Sequence, residues 1–169
     1  EGLGVQKDPR QAVFWYHRSA QQNNPWAQCN LGFCFANGIG VLKNDVKAVY
    51  WYKKAAQRNH ARAQDKLGVH LQSGHGVVQD QALAVHYFKL AAAQDHVAAQ
   101  FHLANCLERG IGCQRDLRAA GSWFERAAVS GCRSSHERLR HLLVRMCVEE
   151  GPEAAADLCT SVLPAAPAA

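Results

Sequence analysis

Small and apolar residues fall at Ala48, Trp51, Tyr52, Ala55 and Ala56. That is the i, i+3, i+4, i+7, i+8 spacing of a helix with one buried face. The same stripe recurs in Ala12–Ala20, Ala84–Ala92 and Ala120–Ala128, always thirty-six residues away, with no insertion or deletion. These four segments are the second helix, helix B, of a repeated unit. Each opens on a good N-cap: Asp8, Asn44, Asp80 or Asp116. An N-cap side chain accepts a bond from an otherwise orphaned backbone N–H. Pro9 follows the first cap at the position where a missing N–H costs nothing. Each ends on a residue type that tolerates the left-handed conformation: Asn23, Asn59, Asp95 or Gly131.

Before each complete helix B stands a second pattern, helix A, which the spacing predicts over Pro25–Asn37, with Leu31 and Phe35 inward. It stops at Gly38, and Gly38 with Gly40 supplies a turn that needs positive φ. The columns Gly2, Gly38, Gly74, Gly110 and Gly4, Gly40, Gly76, Gly112 repeat that turn. Leu31, Leu67, Leu103, Leu139 and Gln28, Gln64, Gln100 repeat inside helix A. The small residues Gly32 and Ala56 let helices approach closely while Trp51 and Tyr52 fill the space. A helix pair with one apolar face cannot bury it alone, so copies must stack. The expected fold is an all-α, right-handed α/α solenoid of about four and a half repeats. It covers 1–149, as units 1–24 (partial), 25–60, 61–96, 97–132 and 133–149 (partial, capping). A short helix and a disordered Pro/Ala tail are expected at 150–169.

The spelling A-Q-x-x-L-G, G-x-G-V, an acidic cap and A-x-x-W-Y-x-x-A-A at this period resembles the Sel1-like repeat, a relative of the tetratricopeptide repeat. The resemblance implies an adaptor or scaffold that holds other proteins. It also implies that helix A lines the concave side. A cysteine-rich branch of the family bridges each repeat with a disulfide, but no cysteine pair recurs here by repeat, and that feature is not carried over.

Opposite Leu31 and Phe35 lie Trp26, Cys29, Phe33, Ala36 and Asn37. The next rungs are Arg62, Asp65, Val69, Gln72 and Ser73, then Ala98, Phe101, Asn105, Glu108 and Arg109, with Glu137, His141 and Arg145 on the last helix. These positions change chemistry from copy to copy, whereas the inward ones repeat. Scaffold needs are the same in every copy and ligand needs are not. The expected partner-binding residues are Trp26, Phe33, Asn37, Asp65, Val69, Ser73, Phe101, Asn105, Arg109, His141 and Arg145. Trp26 and Phe33 are hot-spot types, although Trp26 also fits as a cap on the preceding helix. The mixed charges suit a peptide or protein segment better than a polyanion.

Composition narrows the classes. The net charge of +5 is mild and spread along the chain, unlike the concentrated charge of a nucleic-acid binder. No apolar run approaches the ~20 residues that span a bilayer, so no membrane insertion is expected. Seven cysteines leave at least one unpaired within the chain, and there is no glycosylation sequon. Both point to reduced thiols and an intracellular compartment, the cytoplasm foremost. The chain opens at Glu1, directly before the glycine turn of Gly2 and Gly4. It therefore reads as a fragment whose first helix B lacks the helix A that should cover Ala12, Phe14 and Trp15, an edge open to self-association.

Chemistry finds few candidates. The G-x-G pairs lack the preceding strand and the third glycine or lysine of a phosphate loop. His136 and His141 are i, i+5 and cannot share a zinc on a regular helix. His102 with Cys106 and Cys132 with His136 are i, i+4 but fall out of step with the repeat. Cys34, His70 and Cys106 share one column, so about 10 Å of helix spacing separates neighbours, too far for metal bonds of ~2.3 Å. His60 and His96 are assigned to turns. A metal- or redox-responsive module built on Cys106, Cys113 and Cys132 is the alternative to a scaffold. A hydrolase is a third class for which no constellation exists. The expectation is a non-enzyme with no cofactor.

Overall fold

In the computed structural model, which describes residues 8–149, these residues form eight helices and no strand. They are α1 (Pro9–Gln21), α2 (Pro25–Asn37), α3 (Asp45–Ala56), α4 (Ala61–Ser73), α5 (Gln81–Ala92), α6 (Val97–Arg109), α7 (Leu117–Val129) and α8 (Arg133–Glu149). The odd-numbered helices are the B helices and the even-numbered ones the A helices. Contacts divide the chain into two units, one ending at Ala91 and one starting at Ala92. The helix and tail expected at 150–169 lie outside the described residues.

The predicted punctuation is present. Asp8 accepts from the N–H groups of Arg10 and Gln11, Asn44 from Lys47, Asp80 from Leu83 and Asp116 from Ala119. Asn23, Asn59 and Asp95 take φ of 66°, 58° and 57° at the end of their B helices. Gly38, Gly74 and Gly110 cap the A helices in the left-handed region. The second glycine of each turn answers a different demand. A Cβ on Gly40 would stand 2.3 Å from the Pro9 carbonyl oxygen, and one on Gly76 2.3 Å from the Asp45 carbonyl carbon. These two turns therefore rest directly on the first residue of the preceding B helix.

His60 and His96 do more than sit in turns. They are the N-caps of α4 and α6, where Nδ1 accepts from the N–H of Ala63 at 3.2 Å and Ala99 at 3.3 Å. Asn24 fills the same column for α2. A ring nitrogen that accepts must be unprotonated, so the proton of each neutral imidazole is on Nε2.

Two contacts fix how the helices meet. The first lies within a repeat. A Cβ on Gly32 would be 2.8 Å from the Tyr52 ring, and one on Gly68 2.6 Å from the Phe88 ring. In the third copy the pair is Ala104 and Phe124, both fully buried. The second contact joins repeats. Gln28, Gln64 and Gln100 are buried, and each Nε2 donates back to the end of the preceding B helix, at Ala20, Ala56 and Ala92 (3.1, 3.4 and 3.5 Å). Gln64 and Gln100 also donate to Asn59 and Asp95, the left-handed residues of the same turn. Each of these carbonyls also accepts the N–H of the left-handed residue, Asn23, Asn59 or Asp95, at 3.0–3.1 Å, so the amide adds a second bond that ties helix A to the end of the preceding helix B.

In the first unit a core of Val13, Ala20, Ala27, Leu31 and Cys34 is edged by Tyr16, Phe35, Val41 and Trp51. Phe35 and Trp51 were expected inward and are only half-buried. Cys34 takes the inner place beside Leu31. In the second unit Ala104, Leu117, Ala120, Phe124, Leu139, Leu142 and Met146 form the core. Phe14 and Trp15 are 58% and 54% exposed on α1, and Tyr50, which shares the column of Phe14 on a B helix preceded by its A helix, is 51% exposed as well.

Three outcomes follow for stability and thiols. Gln64→Leu keeps the volume and removes the Nε2 donor shared by the Ala56 carbonyl and Asn59, a loss of ~1 kcal/mol. Urea unfolding reads it, and an unchanged midpoint contradicts the role given to this column. Among the described cysteines, Cys147 is exposed, Cys113 and Cys132 partly so, and Cys29, Cys34 and Cys106 buried. A thiol reagent should modify the first three in the native protein and the buried three only on unfolding. Burial also lifts the Cys29 thiol from the ordinary 9.0 to about 11, against the pull of Arg62 and Lys66 and with a further push from Asp65. Burial raises Cys34 and Tyr52 as well. Groups that hold their protons more tightly when folded contribute fully below the unfolded pKa and lose that contribution as pH rises. These groups leave the melting temperature unaffected below pH 9.0 and should lower it from there toward about 11, less steeply in Cys29→Ala. A level profile across that window contradicts it.

Candidate functional site

The inward column Leu31, Leu67, Leu103, Leu139 is at most 1% exposed. The accessible arc of each A helix is narrower than the sequence suggested, because a second flank is covered too. On α2 it holds Trp26, Asn30, Phe33 and Asn37, and on α4 Arg62, Lys66, Val69 and Ser73. Asn30 and Lys66 were not among the expected rungs. They lie one turn along from Trp26 and Arg62, and the i, i+4, i+7, i+11 spacing was the signal for them.

Trp26 is 67% exposed and meets the ring of His60, the N-cap of α4, edge-on at 4.4 Å. Phe33 is half-buried, with the Arg62 guanidinium 5.5 Å above its ring. Asn37 and Ser73 turn polar atoms back on their own helices, donating to the carbonyls of Phe33 (2.9 Å) and Val69 (2.9 Å). Asp65 departs from expectation: it is fully buried, with Lys66 Nζ 3.7 Å from its carboxylate. Cys29, in the same column, is 1% exposed and feels the charges of Arg62, Lys66 and Asp65. The first residues of α4 therefore cover that flank of α2, which a reading with one buried face did not allow for.

Beside this arc, α1, α2 and the following turn enclose a largely apolar cleft of about 320 Å³. Ala12, Tyr16, Phe33, Cys34 and Ile39 wall it, with Arg62 at its α4 side.

The second unit uses the same positions differently. Phe101 is half-buried and packs its ring against the core of this unit, 5.8 Å from that of Phe124. Asn105 donates to the Phe101 carbonyl at 2.8 Å. Arg109 and His141 are exposed. Glu108, expected on the face, is buried between two guanidinium groups. Arg138 Nη2 donates to its Oε2, and Arg145 Nη1 lies 3.3 Å from Oε1. Arg145 also lies 3.5 Å from Glu149, which Arg115 meets at 2.7 Å. Arg145 is thus engaged in holding α8 to α6. His102 and Arg138, which the expected rungs left out, complete the arc.

No group of three or more His, Cys, Asp or Glu among the described residues is placed to hold a metal ion. No helix among them is long and apolar enough to cross a membrane.

The geometry has counterparts among known proteins. The chain overlays c5321, described as a protective antigen present in uropathogenic Escherichia coli strains displaying an SLR fold, with a TM-score of 0.84 and 34% identity. That match covers 95% of this chain and 35% of the antigen, so the chain spans about a third of that protein's length. A Sel1 repeat protein from Oxalobacter formigenes matches with a TM-score of 0.69 and 32% identity, over 76% of this chain and 97% of the other. Helicobacter pylori cysteine rich protein B shares the fold at 21% identity and a TM-score of 0.61, over 80% and 97% of the two chains. No curated protein sequence matches. The Sel1 repeat model matches residues 1–24, 27–60, 61–96 and 97–131, and with this the all-α solenoid has its family: the chain belongs to the Sel1 repeat family.

Proposed function

We propose that the chain is a non-catalytic scaffold that holds a peptide or protein segment on the outward arcs of its A helices. Sel1 repeat proteins are in general protein-interaction scaffolds. The observation that carries the finer reading is the contrast between columns. Leu31, Leu67 and Leu103, like Gln28, Gln64 and Gln100, are identical and buried. Trp26, Arg62 and Ala98, like Phe33, Val69 and Asn105, differ at every step and stay at least partly accessible. Folding demands the first set in every copy. Nothing in the packing demands the variety of the second. Residues supporting the reading are Trp26, Phe33, Asn37, Val69 and Ser73 in the first unit, and Asn105, Arg109 and His141 in the second. Asp65 contributes from beneath the surface, and the half-buried Phe101 and Arg145 from its edge. We place the protein in a reducing compartment, a reading supported by the free thiols and by the lack of a repeated cysteine pair.

Phe33→Ala should weaken a partner isolated by pull-down by ~2 kcal/mol, about thirtyfold in affinity, with little loss of stability. Leu67→Ala should do the reverse and cost ~2–5 kcal/mol of folding. If Phe33→Ala leaves affinity unchanged while Lys53→Glu on α3 removes it, the site belongs on the B helices and the proposal falls. Excess reductant should leave the melting temperature where it is. A substantial drop would mean that disulfides hold the native protein, against the reducing compartment.

A further inference from the structure

We propose that the cleft between α1 and α2 receives one apolar side chain of an acidic peptide segment, whose carboxylates meet Arg62 and Lys66. This rests on the scaffold reading above and names the chemistry of its partner.

The cleft supplies the first half of the argument. Its volume of about 320 Å³ lies at the lower end of ligand sites. It suits a single anchoring side chain better than a cofactor. Its walls are chiefly apolar, so an unfilled state leaves Tyr16, Phe33 and Ile39 against water. Burial keeps the Cys34 thiol protonated, and the wall it forms stays uncharged.

The charges beside it supply the second half. Sequence alone made the rungs look mixed in sign, but the structure separates them. The acid of the α4 rung, Asp65, is fully buried, while Arg62 and Lys66 remain accessible. Asp8 also lines the cleft, but its Oδ1 already accepts from Arg10 and Gln11 at 2.9 and 3.2 Å. Arg62 forms no salt bridge with any described acid. It is held instead by the face of Phe33, 5.5 Å below. A guanidinium positioned by an aromatic ring keeps its N–H fork available for a carboxylate. At Arg62 an acidic ligand gains without displacing an existing ion pair, while Lys66, 3.7 Å from the buried Asp65 carboxylate, adds a second accessible cation. A basic segment meets two exposed cations at the same place.

The test is selection of a displayed library of random peptides against the whole chain, followed by affinity measurement on one synthesised winner. Enriched sequences should be acidic with at least one Leu, Ile, Phe or Met. The winner should weaken at least tenfold with Arg62→Glu and with rising salt, and stay unchanged with Arg58→Glu. Melting curves of the variants check the fold, and Arg62→Gln replaces Arg62→Glu if the latter melts early. Neutral or basic winners, or affinity indifferent to Arg62, overturn the inference. So does tighter binding of a labelled single-stranded RNA than of the acidic winner. Neutral winners that Phe33→Ala still abolishes would leave the scaffold reading standing. No enrichment at all, or winners indifferent to Phe33→Ala, would end both.

Discussion

A ring against a glycine sets the spacing on which this fold depends. Tyr52 over Gly32 and Phe88 over Gly68 bring the two helices of a repeat close together, a contact the third copy makes with Phe124 and Ala104. Protein interiors are packed closely enough that a change in this contact is felt well beyond the pair. Once the separation is set, the Gln28, Gln64 and Gln100 amides reach the carbonyls that end the preceding B helices. The turn glycines Gly40 and Gly76 then settle on the starts of α1 and α3. Each of the three contacts uses positions that recur thirty-six residues apart.

That packing leaves each A helix one accessible arc, and the two units treat it differently. In the first unit the arc carries two aromatics, a cleft and cations whose companion acid is buried. In the second, Glu108 occupies the column of Ala36 and Gln72 and draws Arg138 and Arg145 onto itself. A buried carboxylate with two guanidinium partners is costly to break, since removing one partner leaves charge uncompensated. The same column thus serves packing in one copy and an ion-paired lock in another. Variation at a position is therefore necessary for a ligand role but does not establish one.

Much of the fold was legible because a period repeated without error is its own alignment. The N-caps Asp8, Asn44, Asp80 and Asp116, the left-handed residues Asn23, Asn59 and Asp95, and the bounds of α2 all follow from local chemistry that the sequence spells out. The site was less legible. Placing the exposed face opposite Leu31 treats a helix as buried on one side only. The A helices are covered on two, and Cys29, Asp65, Phe101 and Glu108 fell on the hidden flank. His60 and His96 were missed as N-caps because histidine is not among the residue types that usually fill that role. Their alignment with Asn24 was the available clue.

The central claim is that one set of columns makes the fold and the other makes the binding surface, so the two must be separable. Exchanging the outward arc of α2 for that of α6, by Trp26→Ala, Asn30→His, Phe33→Asn and Phe33's neighbour one turn on, Asn37→Arg, tests this in a single protein. The measurement is the affinity of that variant for a partner of the native chain, with its melting temperature alongside. Separable columns predict affinity lost at an almost unchanged melting temperature. Retained affinity, or a variant that no longer folds, would contradict the claim.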